Sequence, residues 1–165
     1  MIEGRQATGS FACYRAHTHP TLSVGIVDAG RSTLRLGRRA FRLRPGDVVV
    51  IAPGQVHACN PRRDRTWSYR MFYVDAAWAR VFAGPPASDQ VWRQGVIRLP
   101  AAGELVGRIE RAVRGAGPAE ARRTTIGRSL RALFLLCPAI HRPPPAASEG
   151  SNLRAVRDCL EAHCF

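Results

Sequence analysis

The chain contains no lysine. All 25 of its basic residues are arginine, set against only 12 acidic residues, and the formal charge is +13 over 165 residues. So few carboxylates, none of them paired, leave no candidate for two-carboxylate acid–base chemistry. Long apolar runs are missing too. None approaches the roughly 18 residues that span a bilayer. The opening Met1-Ile2-Glu3-Gly4-Arg5 has no apolar stretch of the signal-peptide kind. These absences lead to an expected cytoplasmic location without membrane contact. The string IEGR also matches a protease recognition site, so residues 1–5 are set aside as a remnant of cloning. Cysteines stand at 13, 59, 137, 159 and 164, an odd number with no CxxC pair. That spacing excludes a zinc ribbon and argues against a disulfide framework. Buried free thiols are expected instead. There is no G-x-S-x-G elbow, no G-x-x-x-x-G-K-[ST] loop and no G-x-G-x-x-G opening a helix.

What is present in the first half is a series of short strands divided by Gly/Pro turns. Thr21–Val27 is apolar and β-branched, and Asp28-Ala29-Gly30 turns the chain. Ser32–Leu36 and Ala40–Arg44 alternate apolar and polar residues across the Gly37-Arg38-Arg39 turn. Val48–Ile51 is a continuous apolar run between Pro45-Gly46-Asp47 and Pro53-Gly54. Thr66–Val74 is rich in aromatics, and Val91–Leu99 offers one further strand. Strands at this spacing predict a β-sandwich or barrel.

Helical periodicity takes over later. Ala76–Phe82 suits a short helix. Leu105, Val106, Ile109, Ala112 and Val113 fall on one helical face, and so do Ile126, Leu130, Leu133, Phe134 and Cys137. A two-helix hairpin is predicted, its apolar stripes covered by the barrel, by a second copy of the chain, or by both. Residues 138–150 read as a Pro/Ala-rich linker. Ser151 or Asn152 then caps a further helix.

The chemistry-bearing residues are few. His17 and His19 alternate on one strand face, and His57 lies beyond the Pro53-Gly54 turn. Three imidazoles meeting in a barrel suit a divalent transition metal with an open position. They suit equally well a set of hydrogen-bonded pocket groups. In Thr66–Val74 one face carries Trp67, Tyr69, Met71 and Tyr73, and the other carries Arg70 and Phe72. Either face can be the inward one. An inward Arg70 would clamp a carboxylate. The candidate pocket is therefore His17, His19, His57, Tyr69, Arg70 and Tyr73, with no catalytic residue.

HTHPTLSVGIVDAG resembles the first cupin motif and GDVVVIAPGQVH the second. Two expected partners are absent. Ser23 and Val24 occupy the place of the first motif's Glu, and Pro61, with Asn60 one place early, occupies that of the second motif's Asn. With WSYRMFYVD and Trp78, the stretch His17–Trp78 is more specifically similar to the sensor domain of AraC-type transcriptional regulators. That resemblance implies a mainly β, cupin-like double-stranded β-helix over 1–100, followed by a helical hairpin over 101–137. It also implies that residues 151–165 begin a truncated helix-turn-helix domain. It implies a small-molecule effector, a homodimer through residues 103–137, DNA contact only through the absent C-terminal part, and no enzymatic activity. No cofactor is expected; the alternative is a metal-dependent cupin enzyme using His17, His19 and His57. The charge alone motivates a further alternative, a nucleic-acid binder.

Overall fold

Two neighbouring residues on a strand face opposite ways, so a strand rich in bulky apolar side chains at every position must be covered on both faces. Val48–Ile51 is of this kind, Leu22–Val27 differs only at Ser23 and Gly25, and every residue in both runs is buried. The computed structural model describes residues 2–61, 65–82 and 92–137 and shows what covers them. In chain order the elements are β1 (Ile2–Ser10), β2 (Leu22–Gly30), β3 (Ser32–Leu36), β4 (Arg39–Leu43), β5 (Val48–Ile51), β6 (His57–Pro61) and β7 (Trp67–Val74). They continue as α1 (Ala76–Phe82), β8 (Gly95–Ile97), α2 (Pro100–Arg114) and α3 (Ala119–Leu136).

The strands form two antiparallel sheets. One has five strands in the order β1-β7-β2-β5-β8, and the other has three in the order β4-β3-β6. Their facing surfaces enclose one apolar cluster containing Val27, Leu34, Leu36, Leu43, Val49, Ile51, Trp67 and Met71. The opposite face of the larger sheet presents Leu22, Val24, Ile26, Val48, Val50, Phe72 and Val74 to the helices. There they meet Val106, Ile109, Ile126, Leu130, Leu133 and Phe134. This is the double-stranded β barrel with a helical hairpin that the sequence predicts. Both apolar stripes of the hairpin are used up against the barrel and against each other.

Local chemistry sets the ends of these elements. Pro100 opens α2, where a missing N–H loses no helical bond. At the end of β2, Gly30 sits at φ 74°, and a Cβ there would lie 2.2 Å from the Thr66 carbonyl oxygen. Glycine is therefore required where β2 passes the start of β7.

Three expectations change. Ile2–Ser10, half of which was set aside as a cloning remnant, is an ordered edge strand paired with β7 from Ile2↔Val74 to Ser10↔Trp67. The strand expected over Val91–Leu99 narrows to Gly95–Ile97, paired with β5. Cys13 is exposed, whereas Cys59 and Cys137 are buried as expected, and burial pushes each of these two thiols up to about 12. The linker over 138–150 and the helix expected from Ser151 lie outside the described residues.

Leu130 has no exposed surface, whereas Leu135 on the same helix is 71% exposed. Leu130→Ala is expected to lower the unfolding free energy by about 2–5 kcal/mol, and Leu135→Ala to change it by no more than about 0.5 kcal/mol. Urea unfolding of both variants checks this. Equal losses would mean that α3 rests on the barrel by another face.

Candidate functional site

The pleat of β7 decides which side chains line the interior. Trp67, Tyr69, Met71 and Tyr73 point between the sheets and border a cavity of about 390 Å³. Ile51, Cys59, Trp67 and Met71 give the cavity an apolar surface, and His17, His19, His57, Ser23, Glu3, Arg5 and Tyr14 bring polar groups to it.

The three histidines are gathered by backbone bonds. His17 and His57 exchange a pair of N–H to C=O bonds, each of 3.0 Å, and the Gly54 N–H donates to the His19 carbonyl at 2.9 Å. The Pro53-Gly54 turn thereby lays the end of the second motif against His17-Thr18-His19. Ring centroids are 4.5 Å apart for His17 and His57, 4.8 Å for His19 and His57, and 5.7 Å for His17 and His19. One nitrogen from each ring falls within 4.8 Å of the others.

Hydrogen bonding fixes how these rings are used. His17 donates Nδ1–H to the Arg15 carbonyl at 2.8 Å, and His57 donates Nδ1–H to the Gln55 carbonyl at 2.9 Å. A carbonyl can only accept, so each Nδ1 carries the proton and each Nε2 remains for a partner in the cavity. Nδ1 of His19 meets the Thr21 hydroxyl at 3.2 Å and the Ser23 hydroxyl at 3.4 Å. Burial lowers His57 to about 4, and it lowers His19 as well. Both are neutral at pH 7. Ser23 stands where a metal-binding cupin would place a carboxylate, so the imidazoles meet a hydroxyl and no anion at that position.

The predicted site residues do not all converge. His17, His19, His57, Tyr69 and Tyr73 share the cavity, with Tyr73 edge-on to His19 at 5.2 Å. Arg70 is not among them. It lies on the helix-facing side of β7, where its guanidinium donates to both carboxylate oxygens of Asp28, at 2.6 to 3.1 Å, and to Glu110 of α2. Alternation makes this unavoidable once Tyr69 points inward. Arg70 ties the sheet to α2 and offers nothing to a molecule in the cavity.

Several lining residues escaped the sequence reading. Glu3 and Arg5 belong to the N-terminal segment that was set aside, and they share the inward face of β1 with Ala7. Tyr14 precedes the first motif. Asn60 holds it by accepting its N–H at 2.6 Å and donating to its carbonyl at 3.1 Å. Its phenol oxygen lies 3.2 Å from that of Tyr69. No short motif marks Tyr14. The alternation along Glu3-Gly4-Arg5 was readable had the segment been kept.

The lowered His57 and His19 values have a defined consequence for stability in the metal-free chain. An unfolded histidine takes a proton near pH 6.5, whereas His57 in the cup takes one only near pH 4. The unfolded chain therefore binds more protons in this window, and stability falls as pH drops through it. The expected loss from His57 between pH 7 and pH 4 is about 3 kcal/mol at most, and His19 adds in the same direction. Denaturant unfolding at stepped pH should show a shallower decline in His57→Gln. An unchanged decline would mean that His57 is solvated.

A profile of the AraC-like ligand binding domain matches residues 2–137. Over 73 residues the chain is 26% identical to YbfI of Bacillus subtilis, an uncharacterized HTH-type transcriptional regulator, covering 44% of this chain and 26% of that protein. The structure is similar to ToxT of Vibrio cholerae, solved with a bound unsaturated fatty acid, at TM-score 0.55 and 9% identity, across 82% of this chain and 53% of ToxT. A cupin 2 conserved barrel domain protein of Salinispora arenicola is 25% identical at TM-score 0.41, over 46% of this chain and 65% of the other. The chain thus matches about a quarter of YbfI and about half of ToxT. The profile spans every described element from β1 to α3, and the chain belongs to the family of AraC-like ligand-binding domains.

Proposed function

We propose that this chain is the sensor part of a bacterial AraC-type transcriptional regulator, acting in the cytoplasm and without enzymatic activity. A small molecule enters the cup, and its differential affinity for two arrangements of the domain biases how α2, α3 and the segments after residue 137 are held. DNA contact belongs to a helix-turn-helix part outside this chain. The observation that carries this reading is the cup itself. It is a cavity of about 390 Å³ with an apolar surface and converging polar groups, inside a sheet whose other face packs on α2 and α3. Small-molecule sites have this size and make-up. YbfI and ToxT, a regulator by description and a protein solved with a ligand, support the same reading.

Dimerisation through residues 103–137 belongs to the proposal, but the apolar stripes already face the barrel. A second copy must use what they leave exposed, chiefly Leu135 on α3. Sedimentation equilibrium that found only monomer at high concentration would refute this part.

The binding test is calorimetric or thermal-shift screening of a metabolite library against the chain and against Cys59→Trp. Cys59 is buried on the cavity wall, so an indole there fills the cup. A compound that binds the first protein and not the second is expected. Ligands that bind both equally well would move the site elsewhere.

The triad fits a cation only in part. Three imidazole nitrogens within 4.8 Å of one another suit zinc or iron, but no carboxylate joins them. We read His17, His19 and His57 as the polar wall of the cup. Metal analysis of purified protein should find well under one equivalent. One full equivalent of a transition metal, lost in the His17→Ala, His57→Ala double variant, would overturn this.

A further inference from the structure

The proposed reading leaves open what enters the cup, and the distribution of polar groups along β7 bears on that. Successive inward residues on a strand are spaced about 6.6 Å apart. Trp67 and Tyr73 therefore mark opposite ends of the cavity wall, with Tyr69 and Met71 between them.

Trp67 closes one end of that wall. Its indole is 3% exposed, and Nε1–H has no hydrogen-bond partner among the described residues. A buried donor in that condition is penalised until an acceptor arrives. The ring lies 4.2 Å from that of Tyr69, whose hydroxyl is 3.2 Å from that of Tyr14. Burial pushes the Tyr69 phenol up, so it keeps its proton. Arg5, which pairs with Met71 across the β1–β7 ladder, places its guanidinium 5.9 Å from the Tyr14 ring centre and 3.4 Å from the Tyr14 hydroxyl. Arg5 forms no salt bridge with any described carboxylate. Two neighbouring phenols and a guanidinium with no described salt bridge thus meet beside Met71.

The Tyr73 end is rich in acceptors. Glu3 pairs with Tyr73 across the same ladder. His19 is edge-on to Tyr73, and His17 and His57 stand beside it. Nδ1 of His17 and of His57 is engaged by a backbone carbonyl, which leaves Nε2 of the neutral His57 ring as an acceptor. Ile51, Cys59 and Met71 separate the two ends, and the Met71 side chain lies over Gly25, where a Cβ would be 2.7 Å from its sulfur.

We infer that the cup binds a small organic acid, with its carboxylate at Arg5, Tyr14 and Tyr69 and with hydroxyl or ammonium donors facing Glu3 and the imidazoles of His17, His19 and His57. This inference rests on the cup being the effector site. It adds the chemical class of the effector, a carboxylate with an apolar middle and donors opposite. A fully apolar acid leaves the acceptors at the Tyr73 end unmatched, and a neutral polyol leaves Arg5 unmatched.

The experiment is calorimetric titration of the full chain with a panel of hydroxy- and amino-substituted aliphatic and aromatic carboxylates of three to ten carbons. Each is tested beside its primary amide and beside the analogue lacking the far donor. The expected result is at least one acid bound about tenfold or more tightly than its amide, as loss of a charge-assisted bond predicts. Removing its far donor should also weaken it. Arg5→Gln should erase the acid-over-amide preference. Arg108→Gln, which removes the same charge from α2 outside the cup, should keep it. Amides that bind as well as acids, or a preference that survives Arg5→Gln, would overturn the carboxylate assignment and leave the cup as a binding site. If no member binds in any form, the reading of the cup as an effector site falls, and this inference falls with it.

Discussion

The structure depends on the antiparallel β2–β7 pair, which must hold its register while both faces are buried. One face of β7 builds the cup and the other builds the seat of the helices. Tyr69 and Met71 belong to the first, Arg70 and Phe72 to the second. A slip of one residue would exchange these sets, placing Arg70 in the apolar cavity and Tyr69 against α2. Such a slip would bury a guanidinium without its carboxylates, which is far more costly than any single hydrophobic misfit. Asp28 and Glu110 hold the guanidinium outside the barrel, and Gly30 permits the close pass at the start of β7. The register is thus specified twice, by hydrophobic burial inside and by ion pairing outside.

The same economy appears among the histidines. Their positions follow from main-chain bonds between the His17–His19 segment and the turn before His57, and these bonds do not depend on the imidazoles. The rings then use backbone carbonyls to fix their tautomers. A metal site commonly adds an anionic ligand to such an arrangement. Here a serine occupies that place, and two rings are kept neutral by burial. The outcome is a patch of neutral acceptors in a strongly basic protein.

Much of the architecture could be read from the sequence because its signals are local. Alternation in Ser32–Leu36, the turn residues of Pro45-Gly46-Asp47, and the helical spacing from Ile126 to Cys137 each point to one structure whatever surrounds them. The convergence of His17, His19 and His57 was expected from strand alternation, but His17 and His19 lie between β1 and β2, and a single bridge between His17 and His57 with the Gly54 bond to His19 gathers them instead. The inward face of β7 was not legible. Both faces carry large side chains, and the choice depends on Asp28 and Glu110, which lie 42 and 40 residues away. β1 was missed for another reason. Ile2–Ser10 has little apolar pattern of its own and becomes a strand by pairing with β7. Setting aside its first residues also removed Glu3 and Arg5 from view, and with them the charged part of the cavity wall.

One sheet separates the cup from the helices, and that thinness matters for a sensor. A displacement of β7 at Tyr69 or Met71 moves the backbone of Arg70 between them. The Arg70 guanidinium holds Asp28 through two of its nitrogens and Glu110 through the third. Bidentate geometry of this kind has a narrow tolerance, since hydrogen bonds weaken steeply beyond about 3.2 Å and away from linearity. The cup wall and the contact with α2 therefore sit on consecutive residues of one strand. Glu110 also engages Arg114 at 3.3 Å through its other oxygen, so one carboxylate joins β7 to the last turn of α2.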